Sequence, residues 1–488
     1  MQTFPAPVAD RRPEPRRGLM AALIVLALLW PTQLLTLIAL VGGSAQAQIA
    51  MHFHTTQIAW FALATGVVGT LVTPYVMKAA DIFGRRTVMI AITVLGLIGD
   101  VIAAVAPTFG VMIAGRAIAG FYAPISILAY AAIRELFPPK QAATASSIVA
   151  SGVGLVAIGG PFLSGWLLDD FGFRGALWSF VIATAIGLLL LIFFMPSTPP
   201  IARTDVHMDW IGGLLLGGSV TAITYGVGKG SDWGWTSTGT LAFMVGGALG
   251  LVVFVISQAR VAHPMVPLGM LKRRPVWSVF LTTAAALGVL SAVGPILQLL
   301  PLYPDIPGVS DGLGFSVTHN AVIGLPANIL MLATGAATGF AVRRIDSRLP
   351  LRAGLVVAAI GLLLLASYHY SAAQLAVVSM VFSVGYGMVI STVYVMIMEA
   401  VEPEEQGIAN MVQGLVLGII ASVAIAASYA ILARDGTVVQ GTQFYLDQGY
   451  VNVFRWAAVA LLLVLLTTFL VPRLRPVAQM DAGPPTEE

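Results

Sequence analysis

Asp100 and Arg116 are the two charged side chains that fall well inside long apolar runs of this 488-residue chain. A carboxyl and a guanidinium at such depth have two chemistries open to them. They can form a fixed ion pair that locks one helix to the next, or a proton-responsive pair in which protonating Asp100 frees Arg116. An unpaired charge in a bilayer is costly, so the two are expected to face each other or to share a hydrated cavity. A second constellation is the basic stretch Lys78-Ala-Ala-Asp81-Ile-Phe-Gly84-Arg85-Arg86. Gly84 can take φ > 0 and allow a tight reversal. Asp81 can accept hydrogen bonds from Arg85 or Arg86, or cap a helix. A positive-inside turn with an incidental acid is the plainer reading, and both stay open. Enzyme chemistry finds little support. The chain has no cysteine, which excludes thiol catalysis and cysteine-based metal sites. A GxxxxGK[ST] phosphate loop and an HExxH motif are both missing, and the histidines are scattered. No nucleophile–base or paired-carboxylate set stands out. Neither a cofactor nor a metal is expected.

The elements that must position these residues follow from composition. The chain is 58% hydrophobic and 10% charged, with a mean hydropathy of +0.91; a soluble domain carries about 25% charge. This is an all-α polytopic membrane protein. The net charge of +3 does not point to nucleic acid, because Lys and Arg fall in short loops between apolar spans. At about 20 residues per span, helices are predicted near 19–43, 56–77, 88–106, 109–134, 142–167, 175–195, 210–228, 237–257, 276–300, 317–342, 351–369, 372–398, 406–432 and 451–471, about fourteen in all. The first run is too long for a signal peptide and is read as a retained helix. Residues 1–18, with Arg11, Arg12, Arg16 and Arg17, read as a cytoplasmic tail. Residues 19–195 form a first six-helix bundle, 196–275 a linker with an inserted helix pair, 276–471 a second six-helix bundle and 472–488 a second cytoplasmic tail. Basic residues crowd alternate loops, which places both termini in the cytoplasm and the spans in the cell (inner or plasma) membrane. The Arg-, Ala-, Gly- and Val-rich usage fits a GC-rich bacterial genome. Asp100 lies seven residues before Pro107 and Arg116 eight after Thr108. Both are therefore roughly 10–12 Å below the same membrane face, on successive antiparallel helices.

The basic turn has a weaker echo at Gly339-Phe-Ala-Val-Arg343-Arg344-Ile-Asp346-Ser-Arg348. Repeated halves about a central site are how many secondary transporters are built. In the fifth span, Gly152, Gly154, Gly159, Gly160 and Gly165 permit close helix approach, or are ordinary small-residue packing. Pro161 invites a kink near residue 157. The acids Glu399, Glu402, Glu404 and Glu405 fall in an inner loop, where solvation or contact with the basic loops is expected.

Asp81-x-x-Gly84-Arg85-Arg86 resembles the signature loop of the major facilitator superfamily, with Met77 where the family usually opens on Gly. Arg116-x-x-x-Gly120 resembles its second motif, with Ala119 in place of a frequent Gln, and Gly152 through Gly160-Pro161 to Gly165 resembles the Gly-Pro motif of its antiporters. Asp209-Trp-Ile-Gly212-Gly213, Gly234-Trp235 and His263-Pro-Met-Val-Pro-Leu268 look like the fourteen-helix drug:proton antiporter branch. That branch usually carries an Asp in its first helix; here the stretch reads Leu28-Leu-Trp30-Pro31-Thr32-Gln33 and has no acid. The resemblance implies a proton-coupled exporter of lipophilic or amphipathic small molecules, monomeric, working by alternating access. Asp81, Gly84, Arg85 and Arg86 would latch the outward-open state, and Asp100 and Arg116 are the coupling candidates. By fold analogy the substrate cavity would draw on Trp30, Gln33, Tyr122, Tyr130, Gln298, Asn328, Tyr386, Tyr394, Asn410 and Gln413, though each could equally be packing. An uptake symporter, a lipid or cell-envelope precursor exporter, and a non-transporting receptor or scaffold are the alternatives.

Overall fold

The computed structural model describes residues 18–198, 209–261, 264, 268–342, 344–402 and 405–473. Arg11, Arg12, Arg16, Arg17, His263, Arg343 and Glu404 lie outside them, as do most of both predicted tails. The first four helices are α1 (Leu19–Phe53), α2 (Ala59–Phe83), α3 (Arg85–Val105) and α4 (Phe109–Leu136). A short 3₁₀ turn and Pro124 interrupt α4 at Gly120–Tyr122. The next helical run, Pro139–Phe194, is broken by Gly172, whose φ of 66° is non-helical, giving α5 (139–171) and α6 (173–194). Hydrogen bonds show that the chain doubles back there. Gln33 Nε2 donates to the Val149 carbonyl and Trp30 Nε1 to that of Ala183. Three residues of α1, about 4.5 Å, could not touch both ends of one straight helix 34 residues apart, about 51 Å. Thirteen described stretches are long and apolar enough to cross a membrane, and the 139–194 run crosses twice.

The remaining helices are α7 (Trp210–Trp233), α8 (Thr238–Arg260), α9 (Arg274–Leu302), α10 (Val317–Ala341), α11 (Arg348–Leu365), α12 (Ala372–Ala400), α13 (Gln406–Arg434) and α14 (Asp447–Thr467). Two small hairpins, β1–β2 (Asp305–Ile306 with Ser310–Asp311) and β3–β4 (Gly436–Val439 with Thr442–Tyr445), sit at one end of the molecule. The opposite end carries Arg85, Arg273 and Arg348. These are called here the hairpin end and the basic end.

Three expectations need correction. Helix α1 runs ten residues past residue 43, because Gly42-Gly43-Ser44-Ala45 is small enough to pack, with Gly42 against Phe61. Helix α2 continues to Phe83, so Lys78 and Asp81 are helical and the turn shrinks to Gly84. Helix α5 passes Pro161 with helical dihedrals, and Gly172 forms the turn between the predicted spans 142–167 and 175–195. The inserted α7 lies along α2: Tyr75 Oη donates to the Trp210 carbonyl at 2.7 Å, and Trp60 packs beside Gly228 and Tyr225. Asp209 caps α7 by accepting from the Gly212 amide at 2.8 Å.

Candidate functional site

The Asp100–Arg116 pair sits where α3 and α4 cross almost backbone to backbone. A Cβ added at Gly115 would lie 2.6 Å from the Ala103 nitrogen and 2.7 Å from the Gly99 carbonyl. Such close approach needs glycine. It also puts the residues that follow, Asp100 and Arg116, side by side. Arg116 Nη1 lies 3.3 Å from Asp100 Oδ1, and the residues are 4% and 1% exposed. The Thr184 hydroxyl of α6 donates to Asp100 Oδ2 at 2.8 Å. The guanidinium lies 5.2 Å from the Phe61 ring centroid and 5.6 Å from that of Phe180, so aromatic faces stand where water would be. The hydroxyl of Tyr122 lies near both charges, within reach of the Arg116 side chain. The ring of Tyr122 rests on Gly96. A pair this buried is held by its own attraction and by Thr184. Neutralising one member would leave the other charged and dry.

At the basic end, Gly84 has φ 83° and ψ 144°, and a Cβ there would run into the Thr198 carbonyl. The arginines after it reach away from the turn. Arg85 Nη1 contacts Glu135 Oε1 at 2.7 Å and donates to the Ala131 carbonyl at 2.6 Å. Arg86 donates to the Ile192 carbonyl at 2.6 Å, and its amide to the Thr198 hydroxyl at 2.9 Å. Asp81 lies near Glu135, so α2, α3 and α4 share one charged cluster. Glu135 escapes sequence reading because it borders an ordinary helix end. Phe61, Phe180 and Thr184 escape it because nothing in their spacing marks them as partners of a charge.

The α5 motif divides on inspection. Gly152 seats Gln33, whose amide carbon would be 2.8 Å from an added Cβ. Gly165 abuts Thr318 of α10, with Cα and N at 2.8 and 3.0 Å from such a Cβ. Gly160 faces Leu40 more loosely, Gly154 only brushes Leu332, and Gly159 has open space.

The predicted cavity residues divide: Tyr130 of α4 and Tyr386 of α12 both lie near Tyr394 of α12, which gathers three of them between the two halves, while the others lie elsewhere. Trp30 and Gln33 stitch α1 to α6 and α5, although Gln33 Oε1 is buried without a partner. Tyr122 is 2% exposed inside the first six helices. Gln298 Oε1 accepts from Ser44 and Asn320 at the hairpin end, and Gln413 donates to Thr283. Tyr130, Asn328 and Tyr386 are half-buried, while Tyr394 and Asn410 are exposed. A cavity of about 620 Å³ also opens at the basic end between α1 and α5, lined by Ala21, Val25, Leu29, Thr144, Ala145 and Ile148 among others. No sequence signal marks such aliphatic residues apart from ordinary span residues.

Residues 20–425 match the sequence profile of the Major Facilitator Superfamily. The multidrug transporter protein MdtP of Bacillus subtilis is 24% identical over 73% of this chain, which spans 64% of that relative's length. A uridine/deoxyuridine transporter of Lactococcus lactis is 28% identical over 65% of this chain and 66% of its own. Among solved structures, the human organic anion transporter MFSD10 superposes with a TM-score of 0.59 at 16% identity, covering 93% of this chain and 100% of its own. The E. coli xylose transporter XylE gives 0.59 at 13% identity, covering 93% and 99%.

Proposed function

The chain belongs to the major facilitator superfamily, and from that premise we propose that it exports lipophilic or amphipathic small molecules in exchange for protons. On this reading it works by alternating access, as a member of the fourteen-helix drug:proton antiporter branch. It lies in a bacterial plasma membrane, with the basic end and both termini cytoplasmic, and acts as a monomer whose partners are lipid, substrate and protons. The observation that carries the reading is the buried Asp100–Arg116 pair. Its members are the deepest charges of the first bundle, and α1 offers no acid to do the work instead. Protonating Asp100 would release Arg116 from its counter-ion and leave Thr184 and Tyr122 as the polar neighbours. The mostly aliphatic lining of the basic-end cavity supports a lipophilic cargo taken up from the cytoplasmic side. Dye efflux in inverted vesicles, with and without an uncoupler, tests the proposal. Asp100→Asn is expected to abolish the gradient-driven component, and full retention of that component in a well-expressed variant defeats it. A nucleoside cargo is the second reading, favoured by the Lactococcus lactis relative. Competition by uridine in the same vesicles separates the two.

A further inference from the structure

Hydrogen bonds between the first six helices and the last six gather at the hairpin end. Ser44 meets Gln298 and His54 meets Thr442, both pairs using side chains, and Tyr429 donates to Gln46. One contact differs in kind. Asp169, near the end of α5, accepts from the Val317 amide at 3.0 Å and from the Thr318 amide at 2.9 Å. Those are the first two amides of α10, which have no carbonyl partner within their own helix. Helix α10 already has a cap of its own, Ser316, which takes the His319 amide at 3.2 Å. The carboxylate from the other half of the molecule takes the two that Ser316 leaves. Four residues earlier on α5, Gly165 lets the α10 backbone come close enough for this to happen, since any side chain there would collide with Thr318.

We propose that Asp169 is the residue that closes the hairpin end, by capping α10 across the two halves, and that it must release α10 in every transport cycle. The inference rests on the alternating-access reading and adds a residue to it. The bond cannot survive separation of the hairpin-end surfaces, because its two ends belong to the two bodies that separate. On opening, the α10 amides and the carboxylate pass to water. Asp169 is solvent-exposed, so the exchange is shallow enough to be crossed in each cycle. A cap of this kind is worth about five-fold in an equilibrium.

The chain has no cysteine, so spin labels can be placed on the full-length protein without background. Gln57→Cys with Val438→Cys reports the hairpin end, and Phe83→Cys with Ile345→Cys the basic end; all four positions are exposed or, for Ile345, largely so. Electron–electron distance distributions are measured in lipid nanodiscs without substrate. Asp169→Ala is expected to raise the long-distance population of the hairpin-end pair about five-fold and to shorten the basic-end pair. Asp169→Asn, which keeps an acceptor but loses the charge, falls between. Gly165→Ala, which pushes α10 away by bulk, shifts the same way. Asp170→Ala serves as the neighbouring control and stays at wild type. Distributions for Asp169→Ala and Asp169→Asn that superimpose on wild type overturn the proposal, as does an equal shift for Asp170→Ala. The readout uses neither substrate nor a proton gradient, so its failure leaves the coupling role of Asp100 standing, and failure of that role leaves this test intact.

Discussion

The crossing of α3 on α4 and that of α11 on α12 share a backbone and differ in charge. In the first, Gly115 lies against the Gly99 carbonyl and Ala103; in the second, Gly385 lies against the Gly354 carbonyl and Ala358 in the same way. A further glycine, Gly361, meets Phe382 on the second crossing. The residues that follow these glycines are Asp100 and Arg116 in the first crossing, and Leu355, Leu362 and Tyr386 in the second. Both leucines are fully buried. The fold therefore manages this contact without a charge, with leucines and a tyrosine, and the ion pair is an addition that packing does not require. That asymmetry is the strongest reason to give the pair a task.

The largest effect is expected from breaking one side of the pair. Asp100→Leu leaves Arg116 buried without its counter-ion and should cost about 3–5 kcal/mol, read as thermal unfolding in detergent. Asp100→Leu combined with Arg116→Met gives the first crossing the character of the second. It should recover most of that loss while gradient-driven transport stays absent. A double variant as unstable as the single one would mean the pair is structural glue, and the contrast between the crossings would lose its meaning.

Next come the glycines, where the two crossings should behave alike. Gly115→Ala and Gly385→Ala both drive a methyl into facing backbone and are each expected to cost about 1–3 kcal/mol. A large effect at one and none at the other would show that the second crossing is looser than its geometry. Gly84→Ala is smaller in reach, at about 1–2 kcal/mol for the positive φ. Its readout is the melting temperature together with accessibility of a thiol placed at Phe83. At the corresponding turn of the second half, Ser347 stands with φ −56°.

How much of this could be read from the sequence differs by kind of residue. Spans were legible because twenty apolar residues in a row leave few alternatives. The approach of Asp100 to Arg116 was legible because equal depth on antiparallel neighbours brings two expensive groups to one level. The length of α1 was not, since Gly42 to Gln48 looks polar and loop-like by composition, and helicity there comes from tertiary packing. The kink expected near residue 157 leaves the dihedrals helical because a proline's lost hydrogen bond can be absorbed in a long helix, while the turn between the fifth and sixth spans, expected after residue 167, is made by the left-handed φ of Gly172. The cavity residues were least legible. Polar side chains were sought there: Gln33, Gln298 and Gln413 join helices, whereas Tyr130, Tyr386 and Tyr394 gather between the halves, and the basic-end cavity is lined mostly by alanine, valine and leucine.

The smallest expected effect tests the comparison at the basic end. In the first half the turn's arginine reaches another helix, Arg85 to Glu135. In the second, Arg348 finds its carboxylate on its own turn, Asp346, with Nε at 3.0 Å and Nη2 at 2.6 Å from its two oxygens, while Nη1 donates to the Val471 carbonyl at 3.2 Å and Glu399 accepts instead from Ser347 at 2.6 Å. The hydrogen bonds from Arg348 outweigh desolvation and hold the Asp346 carboxyl below its ordinary value. A depressed carboxylate contributes stability above its unfolded value of about 4 and loses it as pH falls through the folded one. The pair is partly exposed, so the contribution should be less than about 1 kcal/mol. Asp346→Asn should thus melt slightly below wild type from pH 5 to 8, with the gap constant across that window and closing only under more acid conditions. A gap that widens on acidification reverses the sign and removes the contrast between an arginine whose carboxylate lies on another helix and one whose carboxylate lies on its own turn.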